Sequence, residues 1–131
     1  MIKYLGLIPV VWLVKDEFYS IVRVRGDAMK PTYNKDHPIS SWMEDDYVVV
    51  RKNVDTKDTR GKVVLIKDPY FPETQLIRRV IATENEWVHA GPKLKKLIRR
   101  GHCWVQNDNA ENTYDSRSFD QIPLGLIQGE V

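Results

Sequence analysis

The sequence predicts a mainly β domain built from antiparallel strands. Short runs rich in β-branched and aromatic residues recur along the chain, and the first of them alternates apolar with basic residues, which is typical of a half-buried strand. Proline, glycine, asparagine and aspartate occupy the gaps between the runs, where they favour turns. Many short strands joined by such turns indicate an antiparallel β domain.

Six strands are predicted, and a turn signal bounds several of them. The first, Tyr19–Arg25, ends at Gly26, and Arg60-Gly61 predicts a turn that enters the third. Residues 114–131 are predicted as turns with one short apolar stretch. The predicted strands span 19–25, 47–52, 62–67, 75–82, 86–89 and 102–106.

The chain divides into a short N-terminal segment and one globular domain. Tyr4–Val14 contains no charged residue, but a helix that spans a bilayer needs roughly 18 to 20 apolar residues. We therefore predict a membrane-proximal apolar segment over residues 1–17, with an element of a soluble core as the alternative. Residues 18–131 are predicted to form the β domain, since 131 residues suffice for one core and not for two.

Composition excludes several classes of function. The net charge is +2, from 20 basic and 18 acidic residues, whereas nucleic-acid-binding domains usually carry a marked basic excess. Cys103 is the single cysteine, so neither an internal disulfide nor a multi-cysteine zinc site is possible. His37, His89 and His102 lack the spacing of metal ligands. The sequence predicts no metal, no cofactor and no nucleic-acid partner.

One stretch of the chain is markedly basic, although the whole chain has nearly equal numbers of basic and acidic residues. It could contact phosphate or lipid headgroups, although such a run is more often a solvated loop or helix face. Its members are Lys93, Lys95, Lys96, Arg99 and Arg100.

The segment after the first strand carries the most specific motif. Gly26 allows a tight turn without a Cβ clash, Pro31 stiffens its exit, and Met29 is a flexible apolar residue suited to a groove. The box Gly26–Thr32 reads GDAMKPT. It resembles the Gly-x-Ser-Met-x-Pro-Thr box of the type I signal peptidases, most closely those of the mitochondrial inner membrane protease subunit 2 kind, with Ala28 at the position of the serine.

Three further boxes follow in the order and spacing of that family. The sequence RGKVV at 60–64 is similar to Arg-Gly-Asp-Ile-Val, with Lys62 in place of the acid. RRVI at 78–81 is similar to Lys-Arg-Val-Ile, with Arg78 at the position of the lysine. Residues 107–117 contain Asn-Asp-Asn, Asn-Thr and Asp-Ser-Arg, which are similar to the last box. Four ordered boxes are far more specific than one.

The resemblance implies a fold and a chemistry. The fold is one of coiled antiparallel β-sheets with a short N-terminal apolar helix. In this serine endopeptidase family a serine oxygen attacks the peptide carbonyl and a neutral lysine takes its proton. Ala28 has no oxygen, and a guanidinium stays protonated, so the sequence predicts that the chain is not an enzyme but a pseudopeptidase.

The predicted site residues follow from the same boxes. Asp115 is expected to pair with Arg79, and Arg78 is expected to pair with Asp27. The degenerate dyad positions are Ala28 and Arg78, and the structural and cleft residues are Gly26, Asp27, Met29, Pro31, Arg79, Asp108, Asp115, Ser116 and Arg117.

The resemblance also implies a location and a role. It predicts a structural subunit of a mitochondrial inner-membrane complex, such as a respiratory-chain assembly, on the intermembrane-space side. Two alternatives are an inactivated mutant of a presequence-processing endopeptidase and a non-catalytic partner of such an enzyme. The expected partners are other protein subunits and an extended peptide added alongside the first strand. Aromatic residues predicted as interface anchors are Trp42, Tyr70, Phe71, Tyr114 and Phe119.

Overall fold

The computed structural model describes residues 17–33 and 46–131, and these include nine strands, one short α-helix and a 3-10 helix over Leu124–Leu126. The predicted apolar segment and its helix lie outside these ranges, apart from Glu17. No helix in the described ranges is long and apolar enough to cross a membrane. The strands are β1 (Tyr19–Arg23), β2 (Tyr47–Arg51), β3 (Val63–Lys67), β4 (Gln75–Ala82), β5 (Trp87–Gly91), β6 (Leu94–Leu97), β7 (His102–Gln106), β8 (Ile122–Pro123) and β9 (Ile127–Glu130); helix α1 is Ser116–Phe119.

Seven of these strands form one antiparallel sheet, so the predicted mainly β fold is confirmed. The strand order is β1-β2-β9-β3-β4-β7-β8, and β5 pairs with β6 in a separate hairpin. The pairing of β3 with β9 shifts between Leu65 and Ile66, and the pairing of β4 with β7 shifts between Val80 and Ala82. Such irregularities bend strands and increase their twist, which curls the sheet.

The six predicted strands are present, and the structure contains three further strands, β6, β8 and β9, that were not predicted. The stretch Leu94–Leu97 was predicted as a loop or helix face and is strand β6. Strands β8 and β9 lie in the segment that was predicted as turns. Strand β9 runs between β2 and β3, where a Cβ at Gly129 would overlap the Val50 side chain and the Arg51 carbonyl oxygen. Close backbone approach therefore requires glycine there, and local propensity does not reveal it.

Two apolar clusters hold the sheet and a third lies beneath the hairpin. One includes Met29 and Val24, so it fixes the segment after β1 against the sheet. The hairpin is anchored by Val88 and Ile98, which pack on Trp104 of β7. These contacts determine where the motif residues lie.

Candidate active-site cleft

A cleft of about 760 Å³ lies between β1, the turn that follows it, and the start of β4. Ala28 and Arg78, the two predicted dyad positions, both line it, although fifty residues of sequence separate them. Asn112 and Tyr114 contribute from the loop before α1. The structure therefore brings the first, third and last of the motif boxes to one place.

The turn after β1 is fixed by backbone contacts with the last box. Gly26 has a φ of +74°, in the region that favours glycine, and Ala28 and Met29 are buried. The Asn109 amide donates to the Ala28 carbonyl at 2.9 Å, and the Asn109 side chain donates to the Asp27 carbonyl at 3.1 Å. The turn continues through a cis Lys30-Pro31 peptide, where Pro31 is exposed. The motif is thus held as a rigid wall of the cleft.

Arg78 is buried, with 5% of its surface exposed, and its guanidinium donates to carbonyl oxygens. Nε and Nη2 contact the Tyr114 carbonyl at 3.0 and 2.9 Å, and Nη1 contacts the Ile77 carbonyl at 2.7 Å. Burial lowers the pKa of Arg78, and the Asp115 and Asp68 carboxylates offset part of that effect.

The predicted pairing of Arg78 with Asp27 is wrong. The Asp27 carboxylate instead accepts a hydrogen bond from the Asn112 side chain at 3.2 Å. Two N–H groups of a planar guanidinium can donate to one carbonyl oxygen. The Tyr114 carbonyl therefore accepts the hydrogen bonds that a carboxylate was expected to accept.

Arg79 points to the other side of β4 and forms a bidentate ion pair with Asp108. Its Nε and Nη2 lie 2.8 and 2.9 Å from the two carboxylate oxygens, and Thr32 donates to the same carboxylate at 2.5 Å. The pKa of Asp108 is lowered, chiefly by the hydrogen bonds from Arg79, and these same bonds raise the pKa of Arg79. The predicted partner, Asp115, is therefore wrong. Arg79 pairs across the sheet with Gln106. Asp108 follows Gln106 by two residues, so this register brings Asp108, and not Asp115, within reach of Arg79.

Asp115 instead organises the loop on which Tyr114 lies. Its carboxylate is fully buried, accepts from the Asn107 amide at 2.8 Å, and caps α1 through the Arg117 amide at 2.9 Å. Arg117 also binds it through Nη2 at 2.6 Å. Ser116 accepts from the Val105 amide at 2.9 Å, which ties the helix to β7. Asp115, Ser116 and Arg117 thus act together as a structural group.

Sequence reasoning did not identify Tyr114 as a cleft residue or Asp68 as its hydrogen-bond partner. The Tyr114 hydroxyl donates to Asp68 at 2.7 Å. The pKa of Tyr114 is raised to about 12, mainly because the hydroxyl is desolvated by burial and secondly because of this hydrogen bond. Asn112 could be recognised because it belongs to the last box. The Tyr114 carbonyl accepts hydrogen bonds from Arg78, and a backbone acceptor cannot be predicted from the side-chain sequence.

The remaining titratable residues in the described ranges form no metal site. No group of three His, Cys, Asp or Glu side chains in residues 17–33 and 46–131 is arranged to hold an ion. Cys103 is buried, and burial raises the pKa of its thiol to about 12, so it is not a reactive nucleophile at neutral pH.

The curled β fold, and a cleft at which three widely separated boxes converge, are those expected of a type I signal peptidase. No protein-family model matches the chain. It is 33% identical to mitochondrial inner membrane protease subunit 2 of Schizosaccharomyces pombe, over 95% of this chain and 68% of that protein. It is 32% identical to the subunit 2 of Mus musculus, over 95% of this chain and 71% of that one. Subunit 1 of Mus musculus is 29% identical over 85% of this chain. The chain belongs to the mitochondrial inner membrane protease subunits, a type I signal peptidase family.

These relatives confirm the predicted family and the inner-membrane location. They contradict the prediction that the chain is not an enzyme, because they are named as proteases and so define a peptidase family. What the described structure adds is local: position 28 carries a methyl group and position 78 a guanidinium bound to carbonyls.

Proposed function

We propose that this chain is a structural subunit of a mitochondrial inner-membrane protein complex, with its β domain on the intermembrane-space side. The observation that carries the proposal is a turn after β3 that holds two aromatic side chains in solvent. Tyr70 and Phe71 are 61% and 65% exposed. The Asp68 carboxylate accepts from their amides at 2.8 and 3.2 Å, so the turn is pre-formed. Rigid exposed aromatic residues are typical anchors of protein interfaces.

Side-chain contacts with Phe119 and Tyr114 hold the turn in place. Tyr70 meets the edge of Phe119 with ring centroids 6.4 Å apart, and the Tyr114 hydroxyl donates to Asp68 at 2.7 Å. Tyr114 and Phe119 are themselves packed in the core, and Trp42 lies outside the described residues. Tyr70 and Phe71 therefore remain as the anchors among the five aromatic residues that the sequence suggested. The names of the relatives, subunit 1 and subunit 2, support an assembly of more than one chain.

Purification of the tagged full chain from mitochondrial membranes tests this role. We expect the wild-type chain to elute in stoichiometric amount with other subunits, and Tyr70→Ser/Phe71→Ser to lose most of that association. The matched control is Tyr19→Ser/Tyr47→Ser, which removes two exposed aromatic side chains from β1 and β2. A wild-type chain that elutes alone would refute the proposal. Recovery with a single active peptidase subunit would identify it instead as the partner of a protease.

The cleft supports a second function, the binding of an extended peptide. Among the strands of residues 17–33 and 46–131, β1 is the last at one end of the sheet, and its residues 20–23 line the cleft. Extended peptides bind such strands by adding alongside them through main-chain hydrogen bonds. Met29 also borders the cleft, but its side chain is buried in the core cluster and stabilises the turn beside β1.

Titration of a presequence peptide against the purified chain measures this binding. We expect saturable binding, and loss of binding when proline replaces every second residue of the peptide, because proline cannot donate a ladder hydrogen bond. A flat titration into the millimolar range would rule out the peptide-binding function. Equal binding of the proline-substituted peptide would rule out strand addition.

A further inference from the structure

The β5–β6 hairpin presents an apolar and basic outer face that the cleft does not use. Cross-strand pairing sets Trp87 opposite Leu97 and His89 opposite Lys95, and all four side chains are exposed. Trp87 is 67% and Leu97 is 46% exposed, and Leu94 near the tip is also exposed. A tryptophan and two leucines in solvent on one short hairpin are an unusual apolar surface for a folded domain.

This exposure does not come from loose folding of the hairpin. Its inner face contributes Val88 and the fully buried Ile98 to the core. The Ile98 amide donates to the Glu86 carbonyl at 2.9 Å, and the Asn85 amide donates to the Ile98 carbonyl at 2.9 Å. Because the inner face is anchored in this way, the alternation of β5 and β6 fixes Trp87 and Leu97 on the outside.

Positive charge surrounds the apolar residues. Residues 87–100 contain five Lys and Arg and no Asp or Glu. Lys96 points inward and pairs with Asp120 at 3.2 Å. Across residues 17–33 and 46–131, no carboxylate forms an ion pair with Lys93, Lys95 or Arg100. The outer face therefore carries a local excess of cations beside its apolar side chains.

We propose that this face docks on the surface of an anionic phospholipid bilayer. Trp87 and Leu97 enter the interfacial region, where tryptophan is favoured. Lys95 on the same face and Lys93 in the turn of the hairpin reach the headgroup phosphates. Lysine and arginine stems cover apolar surface while their charges stay at the headgroups, so the two kinds of residue act together. The family's inner-membrane location provides such a surface at all times.

Co-sedimentation of the full chain with vesicles tests the docking. Vesicles of phosphatidylcholine alone are compared with vesicles of equal parts phosphatidylcholine and phosphatidylglycerol. We expect Lys93→Gln/Lys95→Gln to weaken binding to the anionic vesicles by about tenfold or more, with loss of salt sensitivity. Lys57→Gln/Lys67→Gln is the matched control, because both lysines are exposed and lie outside the hairpin. Equal effects of the two double variants would overturn the proposal.

Two further experiments distinguish docking on a bilayer from binding of free phosphate and from purely electrostatic binding. Trp87→Ser/Leu97→Ser should weaken binding to both kinds of vesicle, because it removes the apolar contacts. Inorganic phosphate should displace the chain no better than chloride at equal ionic strength. Selective displacement by phosphate would indicate a free-phosphate site and would overturn membrane docking, as would unchanged binding of the Trp87→Ser/Leu97→Ser variant.

Discussion

Arg78 and Arg79 are neighbours on β4, yet they lie on opposite faces of the strand in opposite environments. Arg78 is buried in the cleft and donates to the carbonyls of Tyr114 and Ile77. Arg79 is partly exposed and forms a two-point ion pair with Asp108. Burial lowers the pKa of Arg78, whereas hydrogen bonds to Asp108 raise that of Arg79.

The contrast shows that the environment, more than residue type, decides what a cation at each position can do. A lysine placed at position 78 would be desolvated and would lose its proton more readily than a lysine in water. A lysine placed at position 79 would stay paired with Asp108 and stay charged. Only the first of these is suited to proton abstraction.

The largest expected effect is on peptide hydrolysis. In an Ala28→Ser background, Arg78→Lys should raise the rate of presequence-peptide cleavage on the order of 100-fold over Ala28→Ser alone. The reason is that a desolvated lysine beside the new hydroxyl can act as its base. The same background with Arg79→Lys should give no gain. Initial rates with a fluorogenic presequence peptide measure all three variants.

The same comparison has a clear contrary result. If Arg79→Lys raises the rate as much as Arg78→Lys, the assignment of position 78 to the base is wrong. If neither raises it while both variants fold, Ala28 does not occupy the nucleophile position.

The next effect is on stability and concerns the loop that carries Tyr114. Asp115→Asn should lower the free energy of unfolding by about 3 kcal/mol, because it removes a fully buried charge from Arg117 and the Asn107 amide. Urea unfolding measures the change. Asp120→Asn is the control, since its exposed pair with Lys96 should contribute under about 1 kcal/mol. Equal losses in both variants would contradict a structural role for the buried carboxylate.

A smaller and pH-dependent effect is expected at the partner of Arg79. Asp108→Asn should cost about 2 kcal/mol at neutral pH, because it removes a charge-assisted pair. The folded pKa of Asp108 lies below its ordinary value of 3.8, so its contribution is complete above that pH and disappears as the pH falls through the folded pKa. The gap between wild type and variant should therefore close only in acid. A gap that persists to the lowest pH would show that packing, not charge, stabilises this pair.

The strands and the motif boxes were predicted well from the sequence, whereas the hydrogen-bond partners of Arg78 and Arg79 were predicted wrongly. The six strands and the convergence of the boxes followed from periodicity and from the family resemblance. The partners of Arg78 and Arg79 did not, because one depends on a backbone carbonyl and the other on cross-strand register. Strand β9 escaped detection because its two-sided pairing, and not its own propensity, makes it a strand.

The smallest expected effect extends the comparison of Arg78 and Arg79 to a third cation, Lys62. It lies 3.5 Å from Glu130 and is 40% exposed. Arg51 also contacts Glu130, at 3.4 Å, so the loss of Lys62 does not leave that carboxylate alone. Lys62→Ala should therefore cost about 0.5 kcal/mol and should cost less in high salt. Urea unfolding at two salt concentrations measures this, and a loss as large as that of Asp108→Asn would mean that geometry matters less than the contrast between the two arginines implies.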